Sequence, residues 1–273
     1  MNLILFLVTG LFALGAAARS CPVQHSQEPK GHEWHKPHPK DPNFSQYLPY
    51  PSPPSLTSPN YLITYLPCPP GRSPCPGLNV LANHGFLPRS GRDISLPTLR
   101  DAVSAAYNYE PTAFDQPFRD AIAFNLSSTN TPSSTFHLAD LALHDAVEFD
   151  GSLSRSDFHL GDNLHFDAKV WGGVARNLGL DDKSTGEFVS VEVAARARAK
   201  RVKEAMRLND RFNASAAQMA GSPGTTALWL VTLWDAEKGA APKGWVKAFF
   251  GEFVPQLPAL VLGCYGGGSM LTI

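Results

Sequence analysis

Cys75 is the residue whose type and setting most directly suggest chemistry, because it stands between Pro74 and Pro76. A residue before proline is pushed out of the helical region, and proline suits the first position of a helix. The spacing therefore predicts a short helix over 76–84, closed by Gly85 in a left-handed conformation, with Cys75 at its start. The free N–H groups and the positive dipole end of such a helix favour a thiolate. A thiolate fixed in this way is suited to bind a soft metal, above all haem iron.

The alternative for a Pro-Cys-Pro turn is a loop held by a disulfide, and the longer string favours haem. Residues 74–91 read P-C-P-G-L-N-V-L-A-N-H-G-F-L-P-R-S-G. This string resembles the signature of the fungal haem-thiolate peroxidases, the family of chloroperoxidase and the unspecific peroxygenases. The resemblance implies that Cys75 is the proximal ligand of a haem (heme b). It also implies a mainly α fold, a single helical haem-thiolate peroxidase domain.

A second group of potential ligands occurs around Glu148 and Ser152, in the string E-F-D-G-S-L-S-R. Glu148 and Ser152 are four residues apart, so they share a face if a helix continues through them. Gly151 would end that helix and leave carbonyl groups without internal partners. One carboxylate, one hydroxyl and one carbonyl suit a hard cation that keeps some water, although an ordinary acidic helix end has the same residues.

The same string resembles the family's Glu-His-Asp or Glu-Gly-Asp segment and the Ser-Leu-Ser-Arg that comes after it. The resemblance implies that the Glu148 side chain, the Phe149 carbonyl and Ser152 hold a magnesium or manganese ion against a haem propionate. The family's R-x-x-R and N-x-x-F spacings also fit, at Arg198, Arg201, Asn209 and Phe212. The resemblance covers residues 61–260.

The sequence departs from the family at the distal glutamate, which moves a proton between the two oxygens of peroxide. Thr225 occupies that position in the string S-P-G-T-T-A-L-W-L-V, and no acid lies between Arg211 and Trp234. Phe149 stands where short members of the family have a partner histidine. Threonine holds no charge at neutral pH but passes a proton through water. We therefore predict Thr225 at the distal position, with weak acid–base catalysis.

The resemblance and the departure together leave two main functions open. The first is a secreted peroxidase or peroxygenase that uses hydrogen peroxide to oxidise or oxygenate a small organic substrate, in one version a fungal metabolite. The second, favoured by the missing glutamate, is a haem-binding member of the family with little or no peroxidase activity. A structural glycoprotein without haem would require the string around Cys75 to be accidental.

Most of the chain from Ser95 onward has helical spacing, which predicts a mainly α domain with few strands. Ser95 is expected to cap a helix with Pro97 in its first turn, continuing to Ala106. Further helices are predicted over 116–124, from Leu138 towards Gly151, and over 167–177, 191–208, 224–235 and 245–253. The cations from Arg196 to Arg207 are expected to form a solvated face.

The chain of 273 residues has a net charge of −1, which provides no basic face for a nucleic acid. Residues 3–18 form an apolar run that ends in small residues, and this predicts a cleaved signal peptide over 1–18 rather than a membrane anchor. Residues 19–60 are predicted to be a Pro- and His-rich extension, either a solvated arm or a loose metal site. The domain is then 61–260, followed by a tail at 261–273.

The remaining cysteines and three sequons fit a secreted protein. One disulfide is expected among Cys21, Cys68 and Cys264, with one cysteine left over, and the sequence does not choose the pair. Sequons for glycosylation stand at Asn43, Asn125 and Asn213. We expect a secreted, monomeric glycoprotein that binds neither a membrane nor a nucleic acid.

Overall fold

The computed structural model describes residues 71–124, 134–181 and 184–251, which fold as a mainly α domain. The predicted fold class is therefore confirmed. Seven α-helices occur in this part of the chain: α1 Pro76–Asn83, α2 Leu96–Tyr107, α3 Asp115–Ala123, α4 Ala168–Asn177, α5 Val191–Leu208, α6 Ala216–Thr232 and α7 Lys243–Gly251. A 3₁₀ helix spans Leu138–Ala142.

Several predictions concern residues outside the described ranges. They are the signal peptide, the Pro- and His-rich extension and the C-terminal tail, together with Asn43, Asn125, Cys21, Cys68 and Cys264. Within the described ranges, no helix combines the length and the apolar character needed to cross a membrane.

Side-chain caps account for where several helices begin. Ser95 Oγ accepts a hydrogen bond from the Thr98 N–H at the start of α2, at 3.2 Å. Asp167 and Ser190 cap α4 and α5 in the same way. Each cap satisfies donors that the first turn of a helix leaves unpaired. The helix predicted over 191–208 is confirmed at both ends.

Two short antiparallel pairs fix the entries of two helices. The strand β1 (Ile94–Ser95) pairs with β2 (Thr135–Phe136), and β3 (Phe188–Val189) pairs with β4 (Ala241–Pro242). β1 leads directly into α2, and β3 is followed by the cap of α5. These pairs therefore set the direction in which α2 and α5 leave the loops.

The segment after β2 differs from the predicted helix. Only Leu138–Ala142 is helical, in 3₁₀ form, and the chain then turns so that the Asp145 N–H donates to the Glu148 carbonyl at 3.0 Å. Asp145 has a φ of +66° and Gly151 a φ of +88°, both in the left-handed region. Such angles interrupt a right-handed helix. The expectation that Glu148 and Ser152 share a helix face is therefore wrong.

Helix α6 begins well before the predicted start at residue 224. Ser215 Oγ accepts from the Gln218 N–H, and the Gln218 side chain accepts from the Ser215 N–H. This reciprocal capping box starts the helix at that point. Pro223, which supplies no N–H, lies inside the helix. Thr225 consequently lies in the middle of α6 rather than in its first turn.

Helix α7 contributes an aromatic part of the hydrophobic core, where it meets the helices around it. Phe249 and Phe250 of α7 are 4% and 3% exposed. The Phe250 ring stacks on Trp171 of α4 at a centroid distance of 4.7 Å and meets Trp229 of α6 edge-on at 5.5 Å. We call these four residues the aromatic cluster. Because α7 also contacts α1, the helix that begins after Cys75 packs beside the same cluster.

Candidate functional site

Cys75 lies at the N-cap of α1, as the sequence predicts. Its backbone is extended, with φ −84° and ψ 110°, and its thiol is exposed. Ser73 holds the turn from both sides, because its Oγ accepts from the Cys75 N–H at 3.1 Å and donates to the Cys75 carbonyl at 3.0 Å. Gly85, with a φ of +73°, stops the helix. The thiol therefore lies at the positive end of a short, well-defined helix.

Two buried side chains support the turn around Cys75. The Asn79 side chain accepts from the Ser73 N–H at 2.7 Å and donates to the Ser73 carbonyl at 2.9 Å. Tyr107 of α2 donates its hydroxyl to the Gly77 carbonyl at 2.7 Å. Burial, and then the neighbouring Cys75, raise the pKa of Tyr107 well above its usual value, so the phenol stays a donor. Hydrogen bonds from Ser73, Asn79 and Tyr107 thus hold the backbone of the turn that carries the thiol.

An apolar wall lies beside the thiol. A Cβ placed on Gly77 would come 3.5 Å from the ring of Phe249 and 3.8 Å from Cys75 Sγ, so ring and sulfur flank the same glycine. Phe249 belongs to the aromatic cluster, which extends the apolar surface away from the thiol. An exposed thiol beside such a surface fits a flat, mostly apolar group held by one ligand. The residues around Cys75 therefore fit haem.

Glu148 is buried, and one of its two carboxylate oxygens is satisfied. Oε2 accepts from Asn163 Nδ2 at 2.7 Å and lies 2.9 Å from His144 Nδ1. Oε1 is buried without a hydrogen-bond partner among the described residues. Burial raises the pKa of Glu148, although the hydrogen bonds from His144 and Asn163 act in the opposite direction. A buried oxygen of this kind fits contact with a cation or a water molecule.

Phe149 and Ser152 lie after Glu148 in the same loop rather than on a helix. Ser152 Oγ accepts from the N–H groups of Ser154 and Arg155, at 3.3 Å and 3.2 Å, and keeps its own proton and further lone-pair capacity. Within the described ranges, no three His, Cys, Asp or Glu side chains are grouped to hold an ion. The predicted cation site at Glu148, Phe149 and Ser152 stays a prediction.

Two cations of α5 hold this loop, and sequence reasoning placed both on a solvated face. Arg201 is 4% exposed, and its Nη2 lies 2.7 Å from Asp157 Oδ1 while its Nε donates to the Ser152 carbonyl at 2.8 Å. Asp157 Oδ1 also accepts from the Gly151 N–H at 3.0 Å. Arg198 is 8% exposed. The expectation of a solvated face is wrong for these two residues, because the loop packs over them.

Arg198 connects the loop to α6. Its Nη1 donates to the Gly151 carbonyl at 2.8 Å, and its Nε donates to Ser222 Oγ at 2.6 Å. Burial, assisted by the nearby Arg201, lowers the pKa of Arg198 to about 10, so the guanidinium stays charged at neutral pH. The R-x-x-R spacing was the sequence signal that could have identified both arginines as buried.

Thr225, the predicted distal residue, lies on α6 with its side chain exposed. Its hydroxyl donates to the Ser222 carbonyl of the same helix at 2.9 Å. Its neighbour Thr226 is 5% exposed and faces the interior. The assignment of Thr225 to the distal position stays a prediction.

Asn213 is the one predicted glycosylation residue within the described ranges, and it is exposed. Its Nδ2 donates to Asp145 Oδ2 at 2.6 Å, and its backbone N–H donates to Asp150 Oδ2 at 2.9 Å. Asn209 also donates to Asp150, at 2.9 Å. Asn213 therefore helps to hold the Glu148 loop, and its glycosylation stays a prediction.

Comparison with known proteins gives a match over most of the chain. A family model described as peroxidase, family 2, matches residues 32–258. An aromatic peroxygenase from Coprinellus radians is 30% identical over 158 residues, which are 52% of this chain and 58% of that protein. An aromatic peroxygenase from Cyclocybe aegerita is 27% identical over 157 residues, which are 52% of this chain and 41% of that protein.

A chloroperoxidase from Leptoxyphium fumago is 34% identical over 110 residues, which are 37% of this chain and 30% of that protein. The alignments thus span between 30% and 58% of the length of these relatives. The range matched by the family model contains Cys75, the Glu148 loop and α6.

Proposed function

The chain belongs to peroxidase family 2, and from that premise we propose that it is a haem-thiolate peroxidase or peroxygenase. It uses hydrogen peroxide to oxidise or oxygenate a small organic substrate. The observation that carries this proposal is the exposed thiol of Cys75 at the start of α1, beside the apolar wall of Phe249. The names of the relatives, chloroperoxidase and aromatic peroxygenase, support the same class of reaction.

Cys75 is the residue that holds the haem iron in this proposal. When haem is bound, its thiolate ligand donates electron density that favours cleavage of an O–O bond. The chain's own contribution is to keep the sulfur in one position, through Ser73, Asn79 and Tyr107. The start of α1 favours the ionised thiol over the neutral one.

A magnesium or manganese ion at Glu148, the Phe149 carbonyl and Ser152 is the second part of the proposal. The buried Glu148 Oε1 has no partner among the described residues, and this supports a ligand at that position. A hard cation prefers carboxylate, hydroxyl and carbonyl oxygens, which are the groups that these three residues offer. Asn163 and His144 fix the other oxygen of the carboxylate.

The alternative is a haem-binding protein with little or no peroxidase activity. Its support is that α6 offers no acid from Ala216 to Thr232, while Thr225 is exposed and bonded to its own helix. A positioned acid–base group typically contributes about 10²–10⁴-fold to a proton transfer. Without such a group, oxidation by peroxide would be slow.

Secretion completes the proposal. Residues 1–18 have the composition of a signal peptide, and the three sequons fit a glycoprotein. A monomer that acts on a metabolite of its own organism is consistent with these features. Mass analysis of the protein purified from culture medium measures both cleavage near residue 18 and glycans at the sequons.

The absorption spectrum of the purified protein tests the haem proposal. We expect a haem band, and a carbonyl complex of the reduced protein with the red-shifted band of thiolate ligation. Cys75→Ser should abolish that band, while Cys68→Ser should keep it. The reverse result would show that the ligand is Cys68 and not Cys75. A wild-type protein without haem absorption would refute the proposal. The rate of haem oxidation by added peroxide then separates the enzyme from its inactive alternative.

A further inference from the structure

One face of α6 carries three buried polar side chains. Ser222 is 4% exposed, and Thr226 and Trp229 are each 5% exposed. Their spacing of four and three residues places them on successive turns of one side of the helix. We call this the inner face of α6.

Two polar atoms on the inner face have no hydrogen-bond partner among the described residues. They are Thr226 Oγ1 and Trp229 Nε1, both buried. Most buried polar groups in proteins are satisfied by protein or by ordered water, so two such atoms one turn apart require an explanation. The threonine hydroxyl both donates and accepts, whereas the indole N–H only donates.

The inner face lies between the two parts of the candidate site. At one end, Ser222 Oγ accepts from Arg198, which also donates to the Gly151 carbonyl in the Glu148 loop. At the other end, the Trp229 ring contacts Phe250. Phe250 contacts Phe249, whose ring flanks the same glycine as Cys75 Sγ.

Thr225 differs from Thr226 in both exposure and hydrogen bonding. Its side chain is exposed, and its hydroxyl donates to the Ser222 carbonyl. Thr226 is buried, and its hydroxyl has no such bond within the described ranges. Adjacent residues on a helix point about 100° apart, so the two threonines do not reach the same space.

We propose that Thr226 Oγ1 and Trp229 Nε1 together bind one small oxygen ligand, an ordered water that peroxide replaces. Thr226, and not Thr225, is then the threonine of α6 that contacts the peroxide. One oxygen of the ligand accepts from the indole N–H, and the threonine hydroxyl exchanges a hydrogen bond with the ligand. This inference rests on the proposed haem-thiolate function.

The test is an optical titration of the haem-containing protein with cyanide, a small ligand that accepts hydrogen bonds. Thr226→Val removes the hydroxyl at nearly constant size, and Trp229→Phe removes the indole N–H. Each should raise the Kd for cyanide by about tenfold, since one hydrogen bond is worth about that factor. Thr225→Val is the matched control and should leave the Kd within about twofold.

Thr226→Ser keeps the hydroxyl and should bind cyanide like the wild type, which separates loss of the hydrogen bond from altered packing. Thermal unfolding without cyanide gives a second readout, since Thr226→Val should change the Tm little if its hydroxyl bonds to a replaceable water and to no group of the protein. The inference is overturned if Thr225→Val weakens cyanide binding and Thr226→Val does not, or if neither does. Absence of haem from the wild-type protein would instead refute the proposed function, and the inference with it.

Discussion

At the scale of single residues, the turn that carries Cys75 depends on Asn79. The Asn79 side chain is fully buried and satisfies both the N–H and the carbonyl of Ser73. Ser73 in turn bonds to both backbone groups of Cys75. A substitution at Asn79 therefore affects the thiol indirectly, through the bonds from Asn79 to Ser73 and from Ser73 to Cys75.

Replacement of Asn79 by leucine tests this dependence. Asn79→Leu keeps the size of the side chain but leaves two buried groups of Ser73 without partners, each at a cost of about 1–3 kcal/mol. We expect a loss of about 2–4 kcal/mol in the free energy of urea unfolding, with reduced haem content. Asn177→Leu, at a half-buried asparagine of α4, should cost less than about 1 kcal/mol. Equal losses in the two variants would contradict a special role for Asn79.

Glu148 offers a second test at this scale. Glu148→Gln keeps the shape of the side chain but removes the charge, and a neutral amide binds a hard divalent cation less well. We expect the magnesium or manganese content to fall together with haem retention. Elemental analysis and haem absorbance of the same preparation measure the two quantities. Asp162→Asn, which removes a more exposed carboxylate nearby, should leave both unchanged. Unchanged metal content in Glu148→Gln would argue against the cation site.

At the scale of elements, helices whose ends are marked by nearby residues could be predicted from the sequence. The loop that contains Glu148 could not. The helix over 191–208 was predictable because Ser190 caps it. The spacing of Leu138, Leu141 and Ala142 fits a 3₁₀ turn as well as an α-helix, so it did not reveal where the helix stops. The loop after that turn is held by residues far along the chain, such as Arg201. No local pattern encodes such contacts.

The residues of the candidate site also differ in whether the sequence could predict their surroundings. The place of Cys75 at the start of a helix could be predicted because the flanking prolines restrict the backbone locally. Its role as the haem ligand was inferred from the resemblance of the longer string and stays a prediction. The buried state of Arg198 and Arg201 could not be predicted, because a helix rich in cations ordinarily presents them to water. Their burial depends on the Gly151 carbonyl and on Asp157, which become neighbours only in the folded chain.

The pairing of α5 with the loop predicts the effect of removing Arg201. Arg201→Met leaves Asp157, which is 1% exposed, without its charged partner. Removal of one partner from a buried ion pair typically costs about 3–5 kcal/mol. Arg196→Met, at an exposed position of the same helix, should change stability by less than about 0.5 kcal/mol. Urea unfolding measures both variants.

A double variant sharpens this prediction. Asp157→Asn combined with Arg201→Met removes both charges, so it should be less destabilised than Arg201→Met alone. The double variant could instead lose as much unfolding free energy as the two single variants lose together. The side chains of Asp157 and Arg201 would then not interact. In that case Arg201 stabilises the loop only through its bond to the Ser152 carbonyl.

At the scale of the whole molecule, α7 joins the two parts of the candidate site. It contacts α1, which begins after Cys75, and its aromatic residues pack on α4 and α6. Helix α5 packs on both α4 and α6 and holds the Glu148 loop. The packing of α7 therefore contributes to the position of the thiol relative to the loop. The segment around Cys75 also contacts the 3₁₀ helix that leads into this loop, since the Leu138 N–H donates to the Gly91 carbonyl at 2.8 Å.

Phe250 is the residue of α7 on which this packing most depends, because its ring contacts Trp171, Trp229 and Phe249. Phe250→Ala removes a buried ring, and such changes cost about 3–5 kcal/mol. The control is Phe158→Ala, since Phe158 is 47% exposed and its ring contacts His144 and His159 rather than the aromatic cluster. That variant should lose less than about 1 kcal/mol. Because Phe249 lies beside Cys75, Phe250→Ala should also lose its haem at a lower temperature than Phe158→Ala does. Thermal unfolding followed at the haem band and in the far ultraviolet measures both effects, and equal behaviour of the two variants would show that the aromatic cluster does not position the thiol.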